Sequence, residues 1–139
     1  MKKVLVFGTF DGIHDGHRNF FSQAKEYGDH LIVVVSRDET VESVCGEHPK
    51  HDEISRVSEL MIEDDVDDVV MGFLDDKERV LAENRPDVIV LGFTQASYED
   101  DLKKIMKEHG VDVEIVIAES YLEDEYKPSG FNDQEIYVD

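Results

Sequence analysis

Cysteine, tryptophan and basic side chains are what this 139-residue chain has least of: one Cys, no Trp, and 14 Lys and Arg against 34 Asp and Glu. A lone Cys45 excludes an internal disulfide framework and a cysteine-based zinc site, and fits a reducing cytoplasm. The shortage of bases leaves a formal net charge of −20. That charge opposes non-specific binding to DNA, RNA or anionic lipid, whose phosphates need a basic face. Neither a nucleic-acid nor a membrane partner is therefore expected. Long apolar runs are also missing: none approaches the roughly 20 residues of a membrane span. Residues 1–8 read as a strand rather than a signal peptide. There is no internal repeat, low-complexity stretch or interdomain linker, so residues 1–139 are expected to form a single domain.

With 40% apolar and 9% aromatic residues the composition is globular, and a domain of about 150 residues buries roughly 68–70% of its unfolded surface. Many acids come in pairs: Asp64-Asp65, Asp67-Asp68, Asp75-Asp76 and Asp100-Asp101. Divalent-metal sites are one reading of such pairs. None has the Asp-x-Asp-x-Asp-Gly spacing of a calcium loop, and a solvated acidic surface, as in proteins adapted to high salt, is the reading adopted.

Apolar runs recur at Val4–Phe7, Leu31–Val35, Val69–Met71, Val88–Leu91 and Val113–Ile117. The first, second and fourth are continuous and rich in branched residues, as in strands buried on both faces of a parallel sheet. Helical patterns fall between them, over 16–27 (stopping at Gly28), 53–62, 76–84 and 99–109. Alternating strands and helices imply right-handed βαβ units. The expected fold is α/β: a Rossmann-like, doubly wound domain with about five parallel strands and flanking helices. Ligands of such sheets sit beyond the carboxyl ends of the strands. That nominates the loops after Phe7, Val35 and Leu91.

The first of these loops reads Gly8-Thr9-Phe10-Asp11-Gly12-Ile13-His14-Asp15-Gly16-His17. Its glycines allow tight turns and close approach to a ligand, and the helix beginning near Gly16 aims free N–H groups at an anion. His14 and His17, three positions apart at the helix start, are each placed to donate a hydrogen bond to a phosphate oxygen. Asp11 has two readings, a contact to metal or ribose, or an Asx turn that braces the loop. Arg56 also has two, a phosphate contact or a carboxylate partner on its own helix face. Cys45 reads as a small structural residue and His48 and His51 as surface imidazoles. His30 and His109 read as incidental, and Phe131 and Tyr137 as packing or dimer contacts.

Gly8-Thr9-Phe10-Asp11 followed by His14-x-Gly16-His17 resembles the HxGH nucleotidylyltransferase superfamily, which includes glycerol-3-phosphate cytidylyltransferase-like and archaeal FAD synthase-like branches. Ser36-Arg37-Asp38-Glu39-Thr40-Val41, Arg56, Pro86–Gly92 and Tyr126-Lys127-Pro128-Ser129 are similar to further family segments. The resemblance implies an enzyme that transfers AMP or CMP from ATP or CTP to a phosphate-bearing acceptor, releasing pyrophosphate. His14 and His17 would be the catalytic pair; Gly8, Thr9, Phe10, Asp11, Arg56, Gly92, Gln95 and Ser129 would bind the nucleotide. Mg²⁺ would bridge the triphosphate, held largely by phosphates and water, with no dedicated protein metal site. His14, His17, Arg18, Arg37, Arg56 and Lys127 would form a locally basic island.

Arg37–Val41 and Gln95 tilt the reading toward the FAD synthase-like branch, with FMN and ATP; a cytoplasmic homodimer is implied. Three positions depart from the family pattern. Cys45 stands where relatives carry a lysine, with Lys50 nearby as a substitute. Thr94 replaces an aspartate of the base loop. Pro128-Ser129 replaces a pair of hydroxyls. The alternatives are a glycerol-3-phosphate cytidylyltransferase-like enzyme, or a nucleotide-binding module with little catalysis.

Overall fold

Strands that read as continuous branched apolar runs need cover on both faces, and the computed structural model of the chain supplies it. The structure describes residues 1–72, 83–92, 99–108, 110 and 112–118, and of residues 44 and 45 the backbone alone. The elements in chain order are β1 (Lys3–Gly8), α1 (Asp15–Lys25), β2 (His30–Val35), α2 (Asp38–Cys45), α3 (Glu53–Met61), β3 (Asp68–Met71), β4 (Val88–Leu91), α4 (Glu99–Glu108) and β5 (Glu114–Ile117). All the strand pairings are parallel, in the order β3-β2-β1-β4-β5. This is the doubly wound, Rossmann-like α/β arrangement expected from the alternation of apolar runs. Among the described residues no helix is long and apolar enough to cross a membrane.

Side chains alternate between two cores, because successive residues of a strand face opposite ways. Leu5, Phe7, Ile32, Val34, Ile89 and Leu91 pack against Leu102, Ile105 and Met106 of α4. Val4, Val6, Leu31, Val33, Val35, Val88 and Val90 pack with Phe20, Phe21 and Ala24 of α1 and Leu60 of α3. Val4, Leu5 and Val6 are fully buried, so β1 is the spine of both cores.

Helix α2 lies where sequence patterning predicts none. It has one described buried anchor, Val41, and its N-cap Arg37 makes no side-chain cap bond. Neither a hydrophobic stripe nor a capping residue therefore announces it. Of the helix expected over 76–84, Glu83 and Asn84 are helical and the rest lies outside the described residues.

The amino edge of the sheet is tied by aspartates preceding the strands. The Lys2 and Lys3 N–H groups donate to Asp29 Oδ2 (3.1 Å) and Asp87 Oδ2 (2.8 Å), and Leu31 N–H donates to Asp67 Oδ2 (2.8 Å). Asp67, read from the sequence as part of a solvated pair, also pairs with Lys25.

Candidate active site

The strand order reverses direction on either side of β1, so the crevice of the switch point opens beyond the carboxyl ends of β1 and β4. Gly8–His14 follows β1 and Gly92 follows β4, which brings the two nominated segments to one place. Gln95 and Ser129, also expected at the nucleotide, lie outside the described residues, as do Thr94 and Lys127.

Within the first loop, Phe10 adopts φ 52° and Gly12 φ 96°. Glycine takes the second freely, whereas a phenylalanine there is unusual. Its ring is fully buried, edge-on to His17 at a centroid distance of 5.5 Å and tilted against Phe21 at 5.4 Å. Packing of the ring thus holds the backbone in a conformation the residue would otherwise avoid. The Thr9 hydroxyl is buried with no hydrogen-bond partner among the described residues.

The two histidines form the cap of α1. His14 is the N-cap, and its Nδ1 accepts from Gly16 N–H at 3.0 Å. His17, three residues on, accepts from His14 N–H through its own Nδ1 at 3.2 Å. This is the reciprocal geometry of a capping box, built from imidazoles instead of a hydroxyl and a carboxylate. Both Nδ1 atoms act as acceptors, so in each neutral ring the proton sits on Nε2. The rings stack at 3.9 Å. Burial, reinforced by the charges of His14 and Arg18, pushes His17 down to about 3. Burial also lowers His14; nearby Arg18 adds to that and Asp15 opposes it. At neutral pH the pair is therefore two uncharged N–H donors.

Asp11 braces its loop through residues 50 and 51 instead of through an Asx turn. Its carboxylate accepts from Lys50 N–H (2.7 Å) and His51 N–H (2.8 Å) and meets the His51 ring at 2.8 Å. Burial works to raise this carboxyl, but the bonds to residues 50 and 51 outweigh it and hold the group below its ordinary value. Asp11 thereby staples the first loop to the segment before α3, and His51 is drawn into the site.

Arg56, read from the sequence as a phosphate contact or a helix-face partner, lies fully buried beneath the loops. Its guanidinium donates to Thr9 O (2.8 Å), Ser36 O (2.8 Å) and His51 O (3.0 Å), and pairs with Asp38 at 2.7 Å. A rigid fork of donors suits this joining of separate loops. The carboxylate partner is on α2, not on its own helix. Fixing the Thr9 carbonyl toward Arg56 turns the Phe10 N–H away from it, because a trans peptide is planar. The roles of Asp38 and His51 escaped sequence reading, since their partners lie 18 and 40 residues away.

The expected basic island is largely compensated. Arg18 pairs with Asp15 and Glu63, and Arg37 donates to Gly72 O and sits 3.7 Å from Glu53. No group of three or more His, Cys, Asp or Glu among the described residues is placed to hold a metal ion. The described residues thus offer no protein cage for Mg²⁺.

The cytidylyltransferase-like family profile matches residues 5–131. The chain is 36% identical over 123 residues to an FAD synthase of Aciduliprofundum boonei, covering 87% of this chain and 80% of that protein. It is 38% identical over 121 residues to an FAD synthase of Thermoplasma acidophilum, covering 87% and 84%. Among solved structures, a Thermoplasma volcanium protein described as a lipopolysaccharide core biosynthesis protein superposes with a TM-score of 0.83 at 35% identity, over 87% of this chain and 98% of that one. Pantoate-beta-alanine ligase from Francisella tularensis, with a TM-score of 0.59 at 15% identity, covers 84% of this chain and 58% of its own and shares the fold alone. A parallel sheet whose first loop ends in a histidine-capped helix and a profile match spanning nearly the whole chain lead to one conclusion: the chain belongs to the cytidylyltransferase-like family and is a nucleotidyltransferase.

Proposed function

We propose that the protein transfers AMP from ATP to the phosphate of FMN, forming FAD and releasing pyrophosphate. The observation that carries this reading is the 36% and 38% identity, over most of the chain, to two relatives named as FAD synthases. An FMN phosphate oxygen attacks the α-phosphorus, the bond to the bridging oxygen breaks, and that oxygen leaves with pyrophosphate. Such a reaction needs in-line positioning and stabilisation of developing charge more than acid–base catalysis. Neutral imidazoles protonated on Nε2 suit that need, since they donate without exchanging protons. In this reading His14 and His17 hold the α- and β-phosphate oxygens. Gly8, Thr9, Phe10 and Asp11 shape the loop under them, Gly92 and Gln95 frame the base, and Ser129 closes the anion site. Arg56 acts from below by fixing Thr9. Mg²⁺ held by the triphosphate itself would supply partial neutralisation of its charge.

The same reading makes residues 1–139 one catalytic unit of the cytoplasm. It also includes a homodimer, for which the exposed Ile54, Met61 and Ile62 at and beside α3 offer apolar surface. Thr94 in the base loop keeps CTP with glycerol 3-phosphate as the second reading.

Mg²⁺-dependent pyrophosphate release, with ATP and CTP run separately against FMN and glycerol 3-phosphate, decides between them. Release is expected with ATP and FMN, and His17→Ala is expected to lower it by about 10²–10³-fold. Release with CTP and glycerol 3-phosphate alone selects the second reading. An unchanged rate in His17→Ala removes the phosphate-clamp assignment. Nucleotide binding without turnover, followed by a gain in Cys45→Lys, identifies a degraded enzyme.

A further inference from the structure

Three imidazoles belong to the first loop and helix or lie against them, and their hydrogen bonds divide them into two kinds. His14 and His17 each use Nδ1 as an acceptor, from Gly16 N–H and His14 N–H. A second proton on either ring would land on the atom that caps the helix, so charging either ring breaks the cap. His51 is built the other way. Its Nδ1 lies 2.8 Å from Asp11 Oδ1, and the Asp11 carboxyl is held below its ordinary value. An ionised carboxylate only accepts, so the shared proton sits on His51 Nδ1. In the neutral ring Nε2 then carries the lone pair, the reverse of the capping pair.

The mount of this ring is rigid. The Asp11 side chain is 1% exposed and also accepts from the Lys50 and His51 N–H groups, while Arg56 donates to the His51 carbonyl. The His51 side chain is 44% exposed, and its Cε1 lies 3.9 Å from where a Cβ on Gly12 would stand. Nε2, bonded to that carbon, is therefore at the turn of the loop, and Gly12 stands two residues before His14. Among the described residues Nε2 has no hydrogen-bond partner.

The charged groups on the elements packed against this ring are Asp11 of the loop, Lys50 and Asp52 of its own segment, and Arg56 of α3. Asp52 caps α3 through Ser55 N–H, and Arg56 is paired with Asp38. His48 of the same segment lies 3.3 Å from Glu42 and 4.0 Å from Asp38, both on α2. A proton on His51 Nε2 thus breaks no bond, and the imidazolium it makes faces a carboxylate already in place. Histidine is the side chain whose charge changes between about pH 5 and 8. This ring can therefore add positive charge where a polyanion meets a chain of net charge −20.

We propose that His51 takes up a proton when a phosphate group binds at the first loop, and donates from Nε2 to that phosphate as an imidazolium. The assignment rests on the nucleotidyl-transfer reading above. Two ligands of that reaction carry such a group, the nucleotide in its triphosphate and the acceptor in its phosphate monoester. Binding and proton uptake are reciprocal: each raises the affinity for the other by the same factor.

The test is titration calorimetry of the full chain with ATP, and separately with FMN, at fixed Mg²⁺ and ionic strength. Each titration is run near neutral pH in buffers of different ionisation enthalpy, so that the observed heats give the number of protons taken up. His51→Gln leaves the bonds from Asp11 to the backbone of residues 50 and 51 in place. The wild-type chain is expected to take up a substantial fraction of one proton more than His51→Gln. The ratio of their affinities is expected to rise roughly threefold or more between about pH 8 and 6.5. His51→Lys, with a fixed charge, is expected to bind without this extra uptake. Uptake with FMN alone supports the assignment for the acceptor phosphate, and uptake with ATP alone supports it for the nucleotide. A loss of affinity in His51→Gln that is equal at every pH overturns the proposal, because it marks a purely structural ring. Equal uptake by the two chains also overturns it, since another group is then titrating. A wild-type chain that binds neither ATP nor FMN refutes the nucleotidyl-transfer reading and this assignment with it, whereas binding without uptake refutes the assignment alone.

Discussion

His17 shows how one side chain serves the fold and the site with different atoms. Nδ1 caps the helix, and that use places the proton on Nε2, the atom that donates to a phosphate oxygen in the function proposed above. The cost is sensitivity to acid. An unfolded histidine titrates near 6.5, whereas burial holds the folded one at about 3. Between those values the unfolded chain binds the extra proton, so the stability this residue permits is complete above about pH 6.5 and is lost as pH falls toward 3. The slope is about 1.4 kcal/mol per pH unit. His17→Asn is expected to flatten the pH dependence of unfolding free energy by about one proton between pH 6 and 4, read from urea melts. Equal slopes for the two chains contradict a buried neutral His17. The identity of the pair and its position at a helix start were legible in the sequence, because spacing and loop glycines are local. The Asp11–His51 and Asp38–Arg56 partnerships were not, because only the folded chain brings those residues together.

At the scale of elements, the five strands could be read from their apolar runs, and α1, α3 and α4 from their stripes and stops. Helix α2 could not, since it is eight residues long with no side-chain cap at its start. The turn between α1 and β2 illustrates a requirement that pattern alone does not express. A Cβ on Gly28 would stand 2.6 Å from Val4 Cγ2 and 2.8 Å from the Lys2 carbonyl oxygen, so the chain passes β1 with room for hydrogen only. Asp29 and His30 N–H both donate to that same carbonyl, at 2.8 and 3.1 Å. Relieving the clash therefore means moving a backbone that is bonded on both sides. Gly28→Ala is expected to destabilise the protein by about 1–3 kcal/mol, measured as a shift in the urea midpoint. Activity at low temperature should survive, because the turn lies at the amino edge of the sheet and the site at the carboxyl edge. A neutral Gly28→Ala refutes the close approach.

For the molecule as a whole, charge and topology act together. The net charge of −20 repels itself most strongly in the compact state. Screening shortens from about 10 Å at 0.1 M salt to about 3 Å at 1 M. Raising NaCl across that range is therefore expected to raise the thermal midpoint steadily, and a flat or falling midpoint contradicts a fold limited by its own acidity. Not every acid belongs to that repulsive surface. Asp67 and Asp87 bind strand amides, Asp29 binds the Lys2 amide just before β1, and Asp11 and Asp38 bind the site, so composition showed the excess without showing which carboxylates are structural.

The position of β1 at the centre of the sheet also bears on how the protein is made. Its pairing with β2 joins Lys3 to His30, but its pairing with β4 joins Val4 to Val88. A ribosome delivers β1, β2 and β3 before β4 exists, so the growing chain holds three of the five strands with β1, buried from Val4 to Phe7 in the finished fold, as an open edge. At ordinary rates of translation that edge waits on the order of seconds for its partner. Unpaired strand edges invite pairing with a neighbouring chain. The many carboxylates give each nascent polypeptide a mutual repulsion during that interval, guarding the newborn chain before they shape the finished surface.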